Sequence, residues 1–263
     1  MGDFVKTEKQ DSVMVIRMNQ PKIGNCVDSD SYVDLELAFR DAEQDPEVKV
    51  VVFTGEGKHF SAGGNIRYFL DRVKKEEGFS AEEMEVTSKT AFQIRQLSKP
   101  TIAMVNGCAY GAGMALALAC DFRMAATTSS FSTGFIGMGL PGDTAGAYFL
   151  GKMLGAAKAT ELMMTGWPVN GKEAYDLGLI TRLTEDGELE ETTMRFARKL
   201  AQGPTKAYAQ QKKLINEFLF DCGQAQDYGE KEAEAMAEAT CTEDFREAVH
   251  AFLEKRPASF RGM

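Results

Sequence analysis

Only two histidines occur in the 263 residues, His59 and His250, and neither has a Ser, Cys or second His spaced to build a nucleophilic triad or a metal set. The five cysteines (Cys26, Cys108, Cys120, Cys222, Cys241) are odd in number, widely spaced and without a CxxC pair. That pattern argues against a zinc site and a disulfide framework, so the cysteines read as reduced intracellular thiols. No stretch reaches the ~20 apolar residues needed to cross a bilayer, and positions 1–10 mix charges without an apolar signal core. A cytoplasmic protein is expected. Positive charge is also short: 30 Lys and Arg against 39 Asp and Glu give a net charge of −9. This excludes a general binder of nucleic acid or anionic membrane, so any anionic ligand must be held by local geometry. Neither GxxxxGK[ST] nor a GxGxxG after a strand is present, which removes the standard nucleotide phosphate cradles.

What is present is ordinary for a globular chain: 44% hydrophobic and 26% charged residues, at a length near the upper limit of one hydrophobic core. Val13 to Met18, Lys49 to Gly55 and Pro100 to Gly107 are short apolar runs suited to buried strands. Between the first two, Tyr32, Leu35, Leu37, Ala38 and Ala42 fall near helical spacing. Ala109 to Cys120 is small and apolar enough for a helix buried on all sides, a short strand is expected from Asp121, and a further helix is expected to open near Asp143. Strands alternating with helices indicate an α/β fold. Beyond Thr193 the strand signals stop, and 193–201, 206–220 and 228–239 read as amphipathic helices with too few apolar residues for an independent core. The expected division is therefore a core over 1–192 and a helical region over 193–263. The charged segment Asp71 to Glu85 reads equally as a mobile cover over a site and as a solvated surface helix.

Two glycine-rich corners carry the chemical signal. Phe60-Ser-Ala-Gly-Gly-Asn-Ile66 leaves a strand through two glycines, and Gly111-Ala-Gly113 joins a strand to the buried helix. That is a geometry in which free backbone NH groups can face an anion or a developing oxyanion, although close packing alone would also use these glycines.

These two segments, with the terminal Phe252-Leu-Glu-Lys-Arg-Pro257, resemble the enoyl-CoA hydratase/isomerase (crotonase) superfamily. Supporting matches are Pro21 to Asn25, Gly139-Leu140 ahead of Asp143, and Thr165 to Ile180, similar to the family's TGxxxxxxEAxxxGLV segment. The likeness covers nearly the whole chain. It implies a core of repeated ββα units and a helical C-terminal region that assembles homotrimers or dimers of trimers. It also implies acyl-CoA thioesters as substrates, in fatty acid or aromatic acid metabolism, with no cofactor beyond the CoA carried by the substrate and no metal. By position, the amides of Gly64 and Ala112 would form the oxyanion hole, while Ala62, Asn65, Ile66 and Arg67 would flank the CoA. Lys22, Arg67 and Lys255 are the candidate cations for its phosphates.

The sequence departs from the family's hydratases where their two catalytic Glu residues stand, having Ala115 and Phe135 there. Neither side chain can orient water or protonate a carbon, so simple hydration is disfavoured. Asn65 replaces the Asp most members carry, and Ser88 stands where the dehalogenase pattern needs a histidine. Asp143 aligns with the carboxylate of several double-bond isomerases and some hydrolases of the family. The leading expectation is therefore an acyl-CoA double-bond isomerase with Asp143 as the proton shuttle. A thioester hydrolase, decarboxylase or dehalogenase, or a non-catalytic acyl-CoA-binding or scaffold protein, stands as the alternative. Asp143 could also only cap the helix that follows it. A helix terminus would lower its pKa, and burial beside Met114, Phe135, Met138 and Leu140 would raise it. The same apolar residues are the expected lining for a lipid-like or alicyclic acyl group.

Overall fold

A computed structural model describes residues 4–263. The main sheet begins with an antiparallel pair, β1 (Val5–Gln10) and β2 (Val13–Met18), and continues in parallel through β3 (Val50–Gly55) and β4 (Thr101–Val105). It ends with β6 (Phe122–Ala126) and β9 (Arg182–Thr184), in the order β1-β2-β3-β4-β6-β9. A second sheet joins β5 (Cys108–Tyr110), β7 (Ser130–Ser132) and β8 (Val169–Asn170).

The chain steps repeatedly from the large sheet to the small one and then into a helix. β4 leads to β5 and α4 (Ala112–Ala119), and β6 leads to β7 and, after a loop, to α5 (Gly146–Thr165). β3 follows the same course in reduced form, since Ser61 makes a single parallel bridge to Ala109 before α2 (Ile66–Lys74). These are the expected ββα units. Two of them bring a helix N-terminus, Ile66 of α2 and Ala112 of α4, to the wall of one cavity.

Alternation along the strands divides the core. Val51, Phe53, Ala103 and Val105 face the larger cluster, which includes Leu35 and Phe39 of α1 (Ser29–Gln44) and Ala91 and Ile94 of α3 (Ala81–Gln96). Val50, Val52, Ile102 and Met104 face the other way, against Leu189, Met194, Ala197 and Ala201 of α7 (Leu189–Ala201). Strands covered on both faces read as unbroken apolar runs, as they do here. α4 is buried at every position, as its composition required.

The remaining helices are α6 (Gly171–Asp176), α8 (Thr205–Phe218), α9 (Ala225–Thr240) and α10 (Glu243–Glu254). Buried polar pairing docks α8 on its own core: Lys212 sits 2.7 Å from Asp121, and Arg95 Nε donates to Asn216 Oδ1 at 2.7 Å. α9 lies along α3, close enough that a Cβ at Gly229 would fall 2.6 Å from Ser88 Oγ. α10 packs on α2 and on a 3-10 turn at Phe135–Met138. The charged segment 71–85 is the junction of α2 and α3. Arg72 donates there to Gly78 O and Glu83, and Ser80 with Glu83 forms the capping box of α3.

Candidate active site

The two glycine corners meet. A Cβ on Gly63, at φ +96°, would lie 2.9 Å from the Tyr110 carbonyl oxygen, and one on Gly113 would lie 2.5 Å from Ser61 Cβ. Only glycine allows this approach. The surrounding amides are spoken for: Ser61 NH donates to Cys108 O, Ala62 NH to Gly24 O, Asn65 NH to Val27 O, and Gly111 NH to Ser132 O. Gly63 NH donates to Ser61 Oγ. Among the described residues, the amides of Gly64 and of Ala112, the first residue of α4, have no such acceptor. The Gly64 NH therefore stands unengaged at one chain corner, and the Ala112 NH, with the Gly113 and Met114 amides behind it in the first turn of α4, at the other, where the helix dipole adds positive potential.

Both residues line a cavity of about 550 Å³. Of the residues expected from the sequence, Ala62, Asn65, Ile66 and Arg67 stand at one part of its wall. Phe135, Met138, Leu140 and Asp143 stand at another. Met114 does not line it. It is 2% exposed and packs in the main core, because α4 is enclosed on all sides. Lys22 and Lys255 are exposed and lie outside the lining, although their neighbours Ile23, Phe252 and Leu253 belong to it. From the 71–85 segment, Phe79, Glu83 and Met84 contribute to the wall. Ser88 does not; its hydroxyl bonds to Glu85 O within α3.

Among the described residues three carboxylates reach the cavity, and two are engaged elsewhere. Asp28 caps α1 and accepts from Ser31 and from Asn65 Nδ2. Glu83 closes its capping box and pairs with Arg72, which together hold its pKa below the usual range. Asp143 is different: 8% exposed, it accepts one hydroxyl, from Thr144 at 2.7 Å, and burial pushes its pKa up to about 6. It is not a helix cap. α5 starts at Gly146, its N-cap is Ala145 at φ +56°, and no side chain caps it. Thr144 and Ala145 both take left-handed backbone after Asp143, so the expected opening of the helix at Asp143 is displaced by three residues. With no cap bond, burial decides the direction of the pKa shift. At the two hydratase positions, Ala115 is 1% exposed with Gly146 against it, and Phe135 turns its ring into the cavity wall.

Sequence reasoning missed the residues around Asp143. Thr144 gives its hydroxyl proton to Asp143, so Tyr32, 2.5 Å away, donates to Thr144 in turn. Thr87 of α3 accepts the Thr144 NH, and Glu232 of α9 accepts the Ala145 NH. None lies in a recognisable motif. The helical stripe of Tyr32 with Leu35 marked burial but not its hydroxyl's partner. His59 accepts the Cys108 NH beside the glycine corner, and His250 is exposed; neither lines the cavity.

The model of the enoyl-CoA hydratase/isomerase family matches residues 8–263. A short-chain-enoyl-CoA hydratase of Clostridium acetobutylicum is 31% identical over 95% of this chain and 94% of its own. A trans-2-decenoyl-[acyl-carrier-protein] isomerase of Streptococcus mutans is 29% identical over 95% of each chain. The crystal structure of an enoyl-CoA hydratase from Mycobacterium avium subsp. paratuberculosis superposes with a TM-score of 0.88 at 26% identity, covering 98% of both chains. The protein belongs to the enoyl-CoA hydratase/isomerase family, the crotonase superfamily of enzymes, as its ββα units and paired glycine corners indicate.

Proposed function

We propose that this protein is an acyl-CoA double-bond isomerase in which the Gly64 and Ala112 amides hold the thioester oxygen and Asp143 moves the proton. The observation that carries the reading is the carboxylate inventory. Among the described residues, one carboxyl free of helix caps and ion pairs faces the cavity, and apolar side chains occupy the positions at which hydration would need two more.

Asp143, ionised at neutral pH with its pKa near 6, takes a proton from the α or γ carbon of an enoyl thioester. The electron pair moves into the conjugated system and the oxygen becomes a dienolate, on which each NH donor is worth roughly 3 kcal/mol. Asp143 then returns the proton to the other carbon along the same face, so the double bond shifts with no net gain or loss of atoms. Burial tunes the base, since a carboxyl near pKa 6 accepts a carbon-bound proton more readily than one near 4. The Tyr32-to-Thr144-to-Asp143 hydrogen bonds fix one carboxyl oxygen and leave the other for the substrate.

The test is exchange of α or γ protons of an enoyl-CoA with solvent deuterium, with isomer formation followed by mass spectrometry. Asp143→Asn should slow exchange by roughly 10²–10⁴-fold, as expected for a lost general base. Exchange at the wild-type rate in that variant, or efficient hydration of crotonyl-CoA by the wild type, refutes the assignment. The chain is further proposed to assemble as a homotrimer or dimer of trimers, supported by exposed Phe218, Leu219 and Trp167. A monomer in sedimentation at micromolar concentration refutes that.

A further inference from the structure

The turn that carries Asp143 is held in an unfavourable conformation. Thr144 and Ala145 sit at φ +60° and +56°, where each non-glycine residue costs roughly 1–2 kcal/mol. Thr144 is β-branched, which makes it a poor occupant of that region. Both residues are 0% exposed, so their amides cannot turn to water for partners. The partners come from other elements: Thr87 Oγ1 of α3 takes the Thr144 NH at 3.2 Å, and Glu232 Oε2 of α9 takes the Ala145 NH at 2.9 Å. Glu232 is itself fixed, because Tyr228, one turn earlier, donates to its other oxygen at 2.8 Å. Tyr228 stacks edgewise on Tyr148 of α5, with ring centroids 5.0 Å apart. The clamp thus ties the Thr144 side of the turn to α3 and the Ala145 side to α9 of the C-terminal helical region.

We propose that Glu232 is a positioning residue for Asp143: by accepting the Ala145 NH it clamps the left-handed Thr144–Ala145 turn and so aims the Asp143 carboxyl into the cavity. The proposal rests on the proton-transfer reading of Asp143. Without this acceptor, the Ala145 amide would be buried and unpaired, and the turn would gain by relaxing toward right-handed backbone. A relaxed turn moves Asp143 relative to the Gly64 and Ala112 amides, and a displacement of about 1 Å can cost about 10²-fold in rate. The C-terminal helices then have a role in the chemistry as well as in packing. A glutamine keeps an oxygen where the Ala145 NH needs an acceptor, and burial with the neighbouring Asp143 charge raises the Glu232 pKa, which favours the uncharged form that glutamine resembles.

The experiment compares Glu232→Leu, which removes the acceptor at similar volume, with Glu232→Gln, which keeps an amide oxygen. Deuterium exchange into an enoyl-CoA gives kcat and KM, and NMR hydrogen exchange of the Ala145 amide reports the clamp without turnover. The leucine variant should lose about 10²-fold in kcat, with KM changed by less than about threefold, and its Ala145 amide should exchange faster. The glutamine variant should keep protection and most of the kcat. A leucine variant with wild-type kcat, or a glutamine variant as slow as leucine, overturns the proposal while leaving the role of Asp143 intact. If the leucine variant does not fold, an unprotected Ala145 amide in the wild type overturns the proposal instead. A wild type with a protected amide but no proton exchange overturns the reading of Asp143, and with it the positioning role.

Discussion

Asp143→Asn should make the protein more stable as well as inactive. Burial raises the Asp143 pKa from 3.8 to about 6, so the folded state binds this proton more tightly than the unfolded chain does. Stability is therefore fully present below about pH 4 and falls as pH rises through 6, because the fold must then hold a desolvated charge. The rise in pKa corresponds to about 3 kcal/mol once the group is fully ionised. Asparagine carries no such charge. Its amide oxygen can still accept from Thr144, and its NH₂ faces a cavity that water can enter. At pH 8 the variant should gain up to about 3 kcal/mol in equilibrium urea unfolding, or roughly 5–10 °C in melting temperature for a chain of this size. Near pH 4 the two proteins should coincide. A pH-independent gap, or a variant less stable than wild type at pH 8, would refute the claim that burial sets the Asp143 pKa. A stabilised but inactive variant is the signature expected where catalysis keeps a charge in an unfavourable place.

Gly113→Ala places a methyl 2.5 Å from Ser61 Cβ, and Ser61 is fully buried with its hydroxyl tied to Asn25 O at 2.8 Å, so it cannot yield easily. The cost should be about 1–3 kcal/mol in urea unfolding, with proton exchange reduced more than tenfold as the two amide-bearing corners separate; wild-type activity would mean the corners are not the oxyanion site. Arg67→Ala, at the exposed mouth of the cavity, should weaken CoA binding in calorimetry by about two- to fivefold and flatten its salt dependence; unchanged affinity and salt response would remove Arg67 from phosphate binding.

The parts legible in the sequence were those whose side chains record their surroundings. β3 and β4 are covered on both faces and so carry unbroken apolar runs, Val50 to Phe53 and Ile102 to Val105. The glycine corners were legible because their backbones approach within distances that exclude a Cβ. β1 was not, since it is an edge strand of Lys, Thr and Glu facing solvent, held by backbone pairing to β2. β8 and β9 are too short to show a period. The start of α5 was misread because Asp is a good N-cap, while the actual turn puts Thr144 and Ala145 where glycine is usual, held there by α3 and α9. Glu232 lies 87 residues beyond its amide partner, on a helix carrying several other glutamates, so only tertiary structure distinguishes it.

Asn65 shows how a departure from the family pattern becomes readable once its neighbour is known. It caps α2 by accepting the Arg67 NH at 3.2 Å, a task Asp performs equally well. Its Nδ2, however, donates to Asp28 Oδ2 at 3.1 Å, and Asp28 also caps α1. The amide joins two helix N-termini at the wall of the cavity; a carboxylate there would set two negative charges in contact. Asn65→Asp should therefore lose about 1 kcal/mol at pH 7, the attraction given up and the repulsion gained at a half-exposed pair. The loss should shrink as pH falls through the carboxylate range and one of the two groups takes a proton. Asn65→Ser keeps a capping oxygen without the charge and should show no such pH dependence. Urea unfolding at pH 4 and 7 separates the effects: an aspartate variant as stable as wild type at pH 7 would mean that the Asp28 contact does not select asparagine at this position.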